Sequence, residues 1–356
     1  MSQRTPALDV VRAWCVIGVV TTHVVGNYAW DTSLVRHVAD VAALGSFGVT
    51  GFFVLSSYLL TSILVREVSA GRPRIWQRYF TRRALRIWPL YFGVLIVSVL
   101  GALASGASVP AWGWLATFSY NWVSWRHPTA SWLGHLWSVC AEEQLYLVIP
   151  VLSAVALRVR WKVLVIAIAS APALRWMVVG HSPYPAVWNY TTSHLDAFGL
   201  GMLLASLDAA GTERWARARR WLGSSRLAAL TAAALSSGLA AAAWRSPSEV
   251  FGGHQAAITY LAATLCFTWL LLMATERGIG SPTRMTPLQW IGQRSYGIYV
   301  YHWPLVILGL QLHVSRGTRS VLLGFAVLGL TCLASEVSYR YVESPFLRLK
   351  ERFSAS

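Results

Sequence analysis

LDVVRAWCVIGVVTTHVVGNYAW, residues Leu8–Trp30, is long and apolar enough to cross a bilayer as one helix, yet it carries Asp9, Arg12 and His23. Arg12 and His23 lie eleven positions apart. Eleven helical steps return the direction to within about 20° and advance it roughly 16 Å, so both side chains share one stripe. An ionisable group in hydrocarbon is costly, roughly 2.5–3.5 kcal/mol for Arg at a helix centre on insertion scales. Such groups mark either function or a polar bundle interior, and the spacing fits a buried structural pair as well as a functional one. Asp9 is placed to orient Arg12 through an i, i+3 ion pair.

The rest of the chain extends the membrane reading. Of its 356 residues 55% are hydrophobic and 12% charged, about half the charged fraction of a soluble domain. The mean hydropathy is +0.49. Apolar runs near 20 residues recur along the whole length, so the expectation is an all-α polytopic helix bundle with no sizeable soluble domain. Ten spans are expected, near 8–29, 38–64, 87–105, 138–157, 163–180, 194–208, 227–243, 255–273, 289–311 and 320–339. The opening run lacks a small-residue cleavage site and reads as a retained helix.

The net charge of +16 is mostly topology. With the N-terminus inside, most arginines fall in the inner segments 65–86, 158–162, 209–226, 277–284 and 340–352. That positive-inside pattern puts both termini in the cytoplasm and excludes nucleic acid as the partner. Nineteen tryptophans, six of them in segment 105–137, fit interfacial belts or a cover over the outer mouth. The four cysteines are scattered through the spans, with neither a metal-ligand spacing nor a disulfide framework. No resident cofactor or metal is expected. The bundle shows no internal repeat of the kind many transporters carry.

Two segments carry further chemistry. In RYFTRRALRIWP, residues 78–89, Arg82, Arg83 and Arg86 sit directly against a span. Arg82/Arg86 and Arg83/Arg86 have one-turn spacings. Such a cluster suits forked hydrogen bonds to phosphate, or anchoring to lipid headgroups. In HLWSVCAEEQLY, residues 135–146, Glu142 and Glu143 lie about as far below the outer surface as His23 does. A carboxylate that orients an imidazole is a general-base arrangement. Adjacent helical residues point about 100° apart, so one glutamate is expected to reach His23, with Glu143 preferred to Glu142.

At this point the sequence resembles the acyltransferase type 3 family of integral membrane O-acyltransferases over nearly its full length. The matching segments are LDVVR (8–12) with His23, GVTGFFVLSSY (48–58), RRALRIWP (82–89), HLWSVCAEEQLY (135–146), LDAFGLG (195–201), IGQRSYGIYVYHWP (291–304) and SYRYVESPF (338–346), in the family's order. The resemblance implies one transmembrane acyltransferase domain over 1–345, followed by a short basic tail, 346–356. It also implies transfer of an acyl group, commonly acetyl, from acyl-CoA as co-substrate to a hydroxyl of a carbohydrate or glycosylated small molecule such as an antibiotic. Multi-pass insertion in a bacterial plasma membrane goes with that reading.

The family's histidine falls on His23, as general base or acyl relay, and its donor-binding arginines on Arg12, Arg83 and Arg86, with Arg82 adjacent. Asp196, His302 and Tyr146 are candidates for acceptor binding or support. Asp196 could instead pair with a neighbouring helix, and His302 could be held in the bundle beside Tyr299 and Tyr301. Four positions depart from the family: Thr50 replaces an acidic residue, Ser57 a glycine, Cys140 a serine and His194 a frequent arginine. The rival reading is a transporter of an amphiphilic acyl compound or drug, with His23 and the glutamates as a proton relay.

Overall fold

In the computed structural model, residues 6–28, 33–106, 111–126, 131–155, 157–182, 184–280, 284–312 and 318–355 are described. Trp30, at the end of the opening run, lies outside them. The described residues are mostly helical, joined by short turns, with no strand among them. The chain begins with α1 (Pro6–Tyr28), α2 (Ser33–Ala42), α3 (Gly48–Ser69), α4 (Ile75–Ala104) and the single turn α5 (Trp112–Ala116). It continues through α6 (Trp137–Ala154), α7 (Leu157–His181), α8 (Ala186–Asn189), α9 (Leu195–Ala210), α10 (Glu213–Ser224), α11 (Arg226–Arg245) and α12 (Pro247–Phe251). It ends with α13 (Ala256–Glu276), α14 (Pro287–Gln293), α15 (Ser295–Leu310), α16 (Thr318–Ser338) and α17 (Ser344–Ala355).

Among the described residues, seven helical runs are long and apolar enough to cross a membrane: Pro6–Tyr28, His37–Ser69, Ile75–Ala104, Val159–His181, Arg226–Arg245, Ala256–Glu276 and Ser320–Glu351. The other three expected spans fall on α6, α9 and α15, which have 18, 16 and 16 residues. α9 and α15 are apolar but too short, whereas α6 is made more polar by Glu142, Glu143 and Gln144.

An outer ring and an inner group can be told apart by burial. Helices α4, α7, α11 and α16 expose large apolar side chains such as Val97, Ile166, Leu230 and Phe325, as helices facing lipid do. Helix α1 is largely buried and packs against α3, α13, α14 and α15. Where α1 meets the turn Ala43–Phe47, a Cβ on Gly45 would stand 2.2 Å from the Gly18 carbonyl oxygen. Only glycine allows that approach, which Thr22 then ties with a 2.7 Å bond to the Ala42 carbonyl.

Helix α14 presses on α1 still more closely. A Cβ on Gly292 would meet the Asp9 carbonyl oxygen at 1.8 Å. A capping box, Thr286 with Gln289, and Pro287 in the first turn start α14 at that point. Helix α6 is stopped by Arg160, whose guanidinium donates to the carbonyls of Leu152, Ser153 and Val155. The expected tail, 346–356, belongs largely to α17, which follows a π-helical turn over Tyr339–Glu343 and packs back on α4.

Candidate active site

The α1 stripe forms as its spacing requires. Arg12 donates to Asp9 at 2.6 Å, with Asp9 buried and Arg12 partly open. Asp9 also receives a long contact, 3.5 Å, from Gln293 just beyond the Gly292 approach.

His23 is half-buried farther along α1. Its Nδ1 lies 2.9 Å from Nε2 of His302 on α15. The ring planes differ by 11° and the centroids are 5.1 Å apart, the geometry of an in-plane hydrogen bond and not of face-to-face stacking. His302 Nδ1 faces the Tyr299 carbonyl at 2.6 Å. A carbonyl only accepts, so the neutral His302 carries its proton on Nδ1 and offers the Nε2 lone pair. His23 therefore donates from Nδ1, and its own Nε2 keeps a lone pair. The Trp303 ring, 4.6 Å away and tilted by 53°, packs against the His23 imidazole.

A third histidine completes the support. Pro304 has no N–H, so the Val300 carbonyl loses its helical partner. His135 fills that gap, donating from Nε2 to Val300 at 3.2 Å, with its ring edge-on to His302. The Tyr299 hydroxyl donates to the His135 carbonyl at 2.6 Å and receives a 2.5 Å bond from Ser138. The elements α6 and α15 are thereby locked behind the His23–His302 pair.

The glutamates point elsewhere. The expected carboxylate contact with His23 does not form. Glu142 receives bonds from Ser56 on α3 and from Tyr146, while Glu143 accepts a long 3.4 Å bond from Trp88. Both lie in the field of Arg83, and Glu142 also reaches that of Tyr299. The carboxylates therefore occupy a polar seam between the arginines of α4 and the histidines. Adjacent positions on one helix can take either direction, and only the packing of α3 against α6 decides it.

Among the arginines, Arg82 is already committed, with two bonds to Glu67 at 2.7 and 2.9 Å. That pairing takes two of the five guanidinium N–H donors, as the Asp9 pair takes one from Arg12. Arg83 lies 5.7 Å from the centroid of the Tyr146 ring. Arg86, one turn on, lies in the field of Glu343, the buried last residue of the π turn. Asp196 is fully buried and pairs at 2.9 Å with Arg175, itself fully buried and bonded to the carbonyls of Ser193 and Ala257.

A cavity of about 670 Å³ lies between α1, α3, α9, α10 and α13, lined by Arg66, Asp208, Trp215, Arg219 and Glu276 among others. It shares none of the groups above, and Arg219 within it is held by Asp208 and Glu276.

A model for an acyltransferase domain matches residues 5–339. The chain belongs to the acyltransferase type 3 family. It is 26% identical to the O-acetyltransferase OatA of Staphylococcus aureus, over 96% of this chain and 57% of that protein. It is 27% identical to the peptidoglycan O-acetyltransferase OatA of Listeria monocytogenes, over 96% and 55%, and 24% identical to the putative peptidoglycan O-acetyltransferase YrhL of Bacillus subtilis, over 96% and 54%. The chain thus spans a little over half the length of these curated relatives. No solved structure matches it.

The departures from the family pattern have local explanations. Ser57 turns its hydroxyl onto the Phe53 and Val54 carbonyls of its own helix, beneath the close approach of Gly201. Cys140 packs beside the Tyr91 hydroxyl at 3.6 Å. His194 is buried between Trp137 and Tyr260 and bonds the Trp188 carbonyl; the buried cation of that region is Arg175, one α-helix away. Nothing in the structure explains Thr50, whose buried hydroxyl has no hydrogen-bond partner.

Sequence reasoning missed His135, Ser56, Glu67 and Glu343. Only His135 left a signal, a proline four residues after Val300.

Proposed function

We propose that this protein is a bacterial membrane O-acyltransferase that moves an acetyl group from acetyl-CoA to a sugar hydroxyl on a cell-surface glycan or a glycosylated small molecule. Family membership supports acyl transfer, and the names of the relatives favour a cell-wall glycan over an antibiotic. The donor nucleotide approaches from the cytoplasmic side, toward Arg12, Arg83 and Arg86, and the pantetheine arm rises along the Arg12–His23 stripe. Both termini are cytoplasmic in this topology, and the bilayer is the plasma membrane.

His23 Nε2 takes the acceptor hydroxyl proton as that oxygen attacks the thioester carbonyl. The C–S bond then breaks, and the departing thiolate receives the proton from His23. The histidine pair replaces the carboxylate–imidazole pair that the sequence suggested. Glu142 and Glu143 line the seam below it, with Tyr146 and Ser56 fixing Glu142.

The observation that carries this reading is the tie of His23 Nδ1 to His302, which leaves one ring nitrogen fixed in direction and able to accept a proton. The test is thiol release and acceptor mass shift with the purified protein in liposomes, acetyl-CoA and a soluble glycan fragment. His23→Ala is expected to lower kcat by about 10²–10⁴, the range of a positioned general base. Near-normal turnover in that variant would end the proposal.

A further inference from the structure

Arg66 and Arg220 line the cavity of about 670 Å³ at the foot of α1, and among the described residues neither has an ion-pair partner. The other charges on its wall are spent on one another. Asp208 accepts from the Tyr58 hydroxyl at 2.8 Å and from the Trp215 indole at 2.6 Å. Arg219 lies 3.2 Å from Asp208, donates to Thr275 at 3.0 Å and pairs with Glu276. That network fixes the wall and leaves two guanidiniums, one on α3 and one on α10, as its uncompensated charge. Ser62, also on the wall, is buried with a hydroxyl that has no hydrogen-bond partner among the described residues. A buried hydroxyl left unpaired costs free energy unless something in the cavity bonds it.

The position of the cavity selects the ligand. Its wall comes from α1, α3, α9, α10 and α13, and the lipid-facing helices α4, α7, α11 and α16 contribute nothing to it. It therefore belongs to the bundle interior and not to the lipid face. Its two arginines come from the basic segments 65–86 and 209–226, which the positive-inside rule assigns to the cytoplasm. Leu8, on its wall, stands one helical turn before Arg12 on the stripe that leads to His23. From Leu8 to His23 is about 22 Å along the helix axis, comparable with an extended diphosphopantetheine arm. Tyr58 and Trp215 supply aromatic surface on which a purine base can stack, and Leu59 and Ile63 add apolar surface. The volume suits a small organic ligand.

We infer that this cavity docks the adenosine 3′-phosphate end of acyl-CoA, with Arg66 and Arg220 on the phosphate and Tyr58 and Trp215 beside the base. This deepens the proposed function and rests on it. Guanidiniums from two elements hold a phosphate in forked, charge-assisted hydrogen bonds.

Two donors read the site: acetyl-CoA, and acetyl-pantetheine, which has no nucleotide. Arg220→Ala is expected to raise KM for acetyl-CoA about tenfold at nearly unchanged kcat, as loss of uniform binding does. Arg66→Ala should do the same, and both should leave acetyl-pantetheine kinetics unchanged. Arg217→Ala, on α10 but off the cavity wall, should behave as wild type. Calorimetry with adenosine 3′,5′-bisphosphate reads the site without turnover. The nucleotide should bind wild-type protein and lose about tenfold in affinity in Arg220→Ala.

Equal KM penalties on both donors overturn the inference, as does bisphosphate affinity that both substitutions leave unmoved. A defect seen only in vesicles containing phosphatidylglycerol would assign the arginines to a lipid headgroup, and also overturns it. Wild-type protein that binds the bisphosphate through Arg220 but transfers no acetyl group would count against the proposed function alone. Normal transfer with an unmoved KM in both variants would count against this inference alone.

Discussion

His302 is a positioning residue in this mechanism, since it acts on the reacting atoms only through His23. It fixes which nitrogen of His23 carries the proton and which direction the free lone pair takes. His302→Phe keeps an aromatic ring there and removes the acceptor. Its kcat should fall by about 10²-fold, toward the lower end of what a positioned base contributes, with KM for acetyl-CoA little changed. His302→Gln offers an amide oxygen to the His23 Nδ1–H and should retain more activity than the phenylalanine variant. Equal kcat in wild type and His302→Phe would remove His302 from the mechanism. The sequence made His23 legible, because an imidazole eleven residues beyond an arginine in an apolar run is conspicuous. It could not reveal its partner, which lies 279 positions away. The paired glutamates misdirected the reading because depth in the membrane locates a residue only along the axis, and its azimuth comes from helix packing.

At the scale of elements, the Arg12 end of the stripe depends on α14 seated against α1. Gly292 stands where any Cβ would overlap the Asp9 carbonyl oxygen. Gly292→Val should push α14 off α1, cost roughly 1–3 kcal/mol or more as overpacking does, and lower the thermal unfolding midpoint. It should also raise KM for acetyl-CoA, because Asp9 holds Arg12. A glycine on α4 with open space around it, Gly101, provides the contrast. Gly101→Ala should match or exceed wild-type stability by about 0.5–1 kcal/mol through helix propensity alone. If both variants melt together with wild type, the α1–α14 approach is not a structural determinant. Long apolar helices such as α1, α4, α13 and α16 were legible from hydropathy. The break between α14 and α15 at Arg294 was not, because Arg294 sits there through its ion pair with Glu336 on α16 and between the Trp290 and Tyr339 rings. The inward turn of α17 was equally hidden, since a basic segment after a span gives the same composition whether it lies on lipid or folds back.

At the scale of the whole molecule, the charge pattern and the site make one joint claim about sides. The segments rich in arginine, 65–86, 209–226 and 340–352, join helices at the end of the bundle that the positive-inside rule assigns to the cytoplasm. Arg12, Arg83 and Arg86 come from the same segments or the span ends beside them, so the proposed donor site should open to the cytoplasm. His23 lies roughly 16 Å farther along α1, beyond the middle of a hydrocarbon core about 30 Å thick. On the proposed function, the thioester would therefore be carried most of the way across while the nucleotide stayed behind. Acetyl-CoA does not cross a sealed bilayer. In inverted vesicles, externally added acetyl-CoA should support acyl transfer at once. In sealed right-side-out vesicles it should support none until a pore-forming agent admits it. Turnover from external donor in sealed right-side-out vesicles would reverse the topology, and the cluster around Arg86 would then face the wrong compartment for a cytosolic thioester.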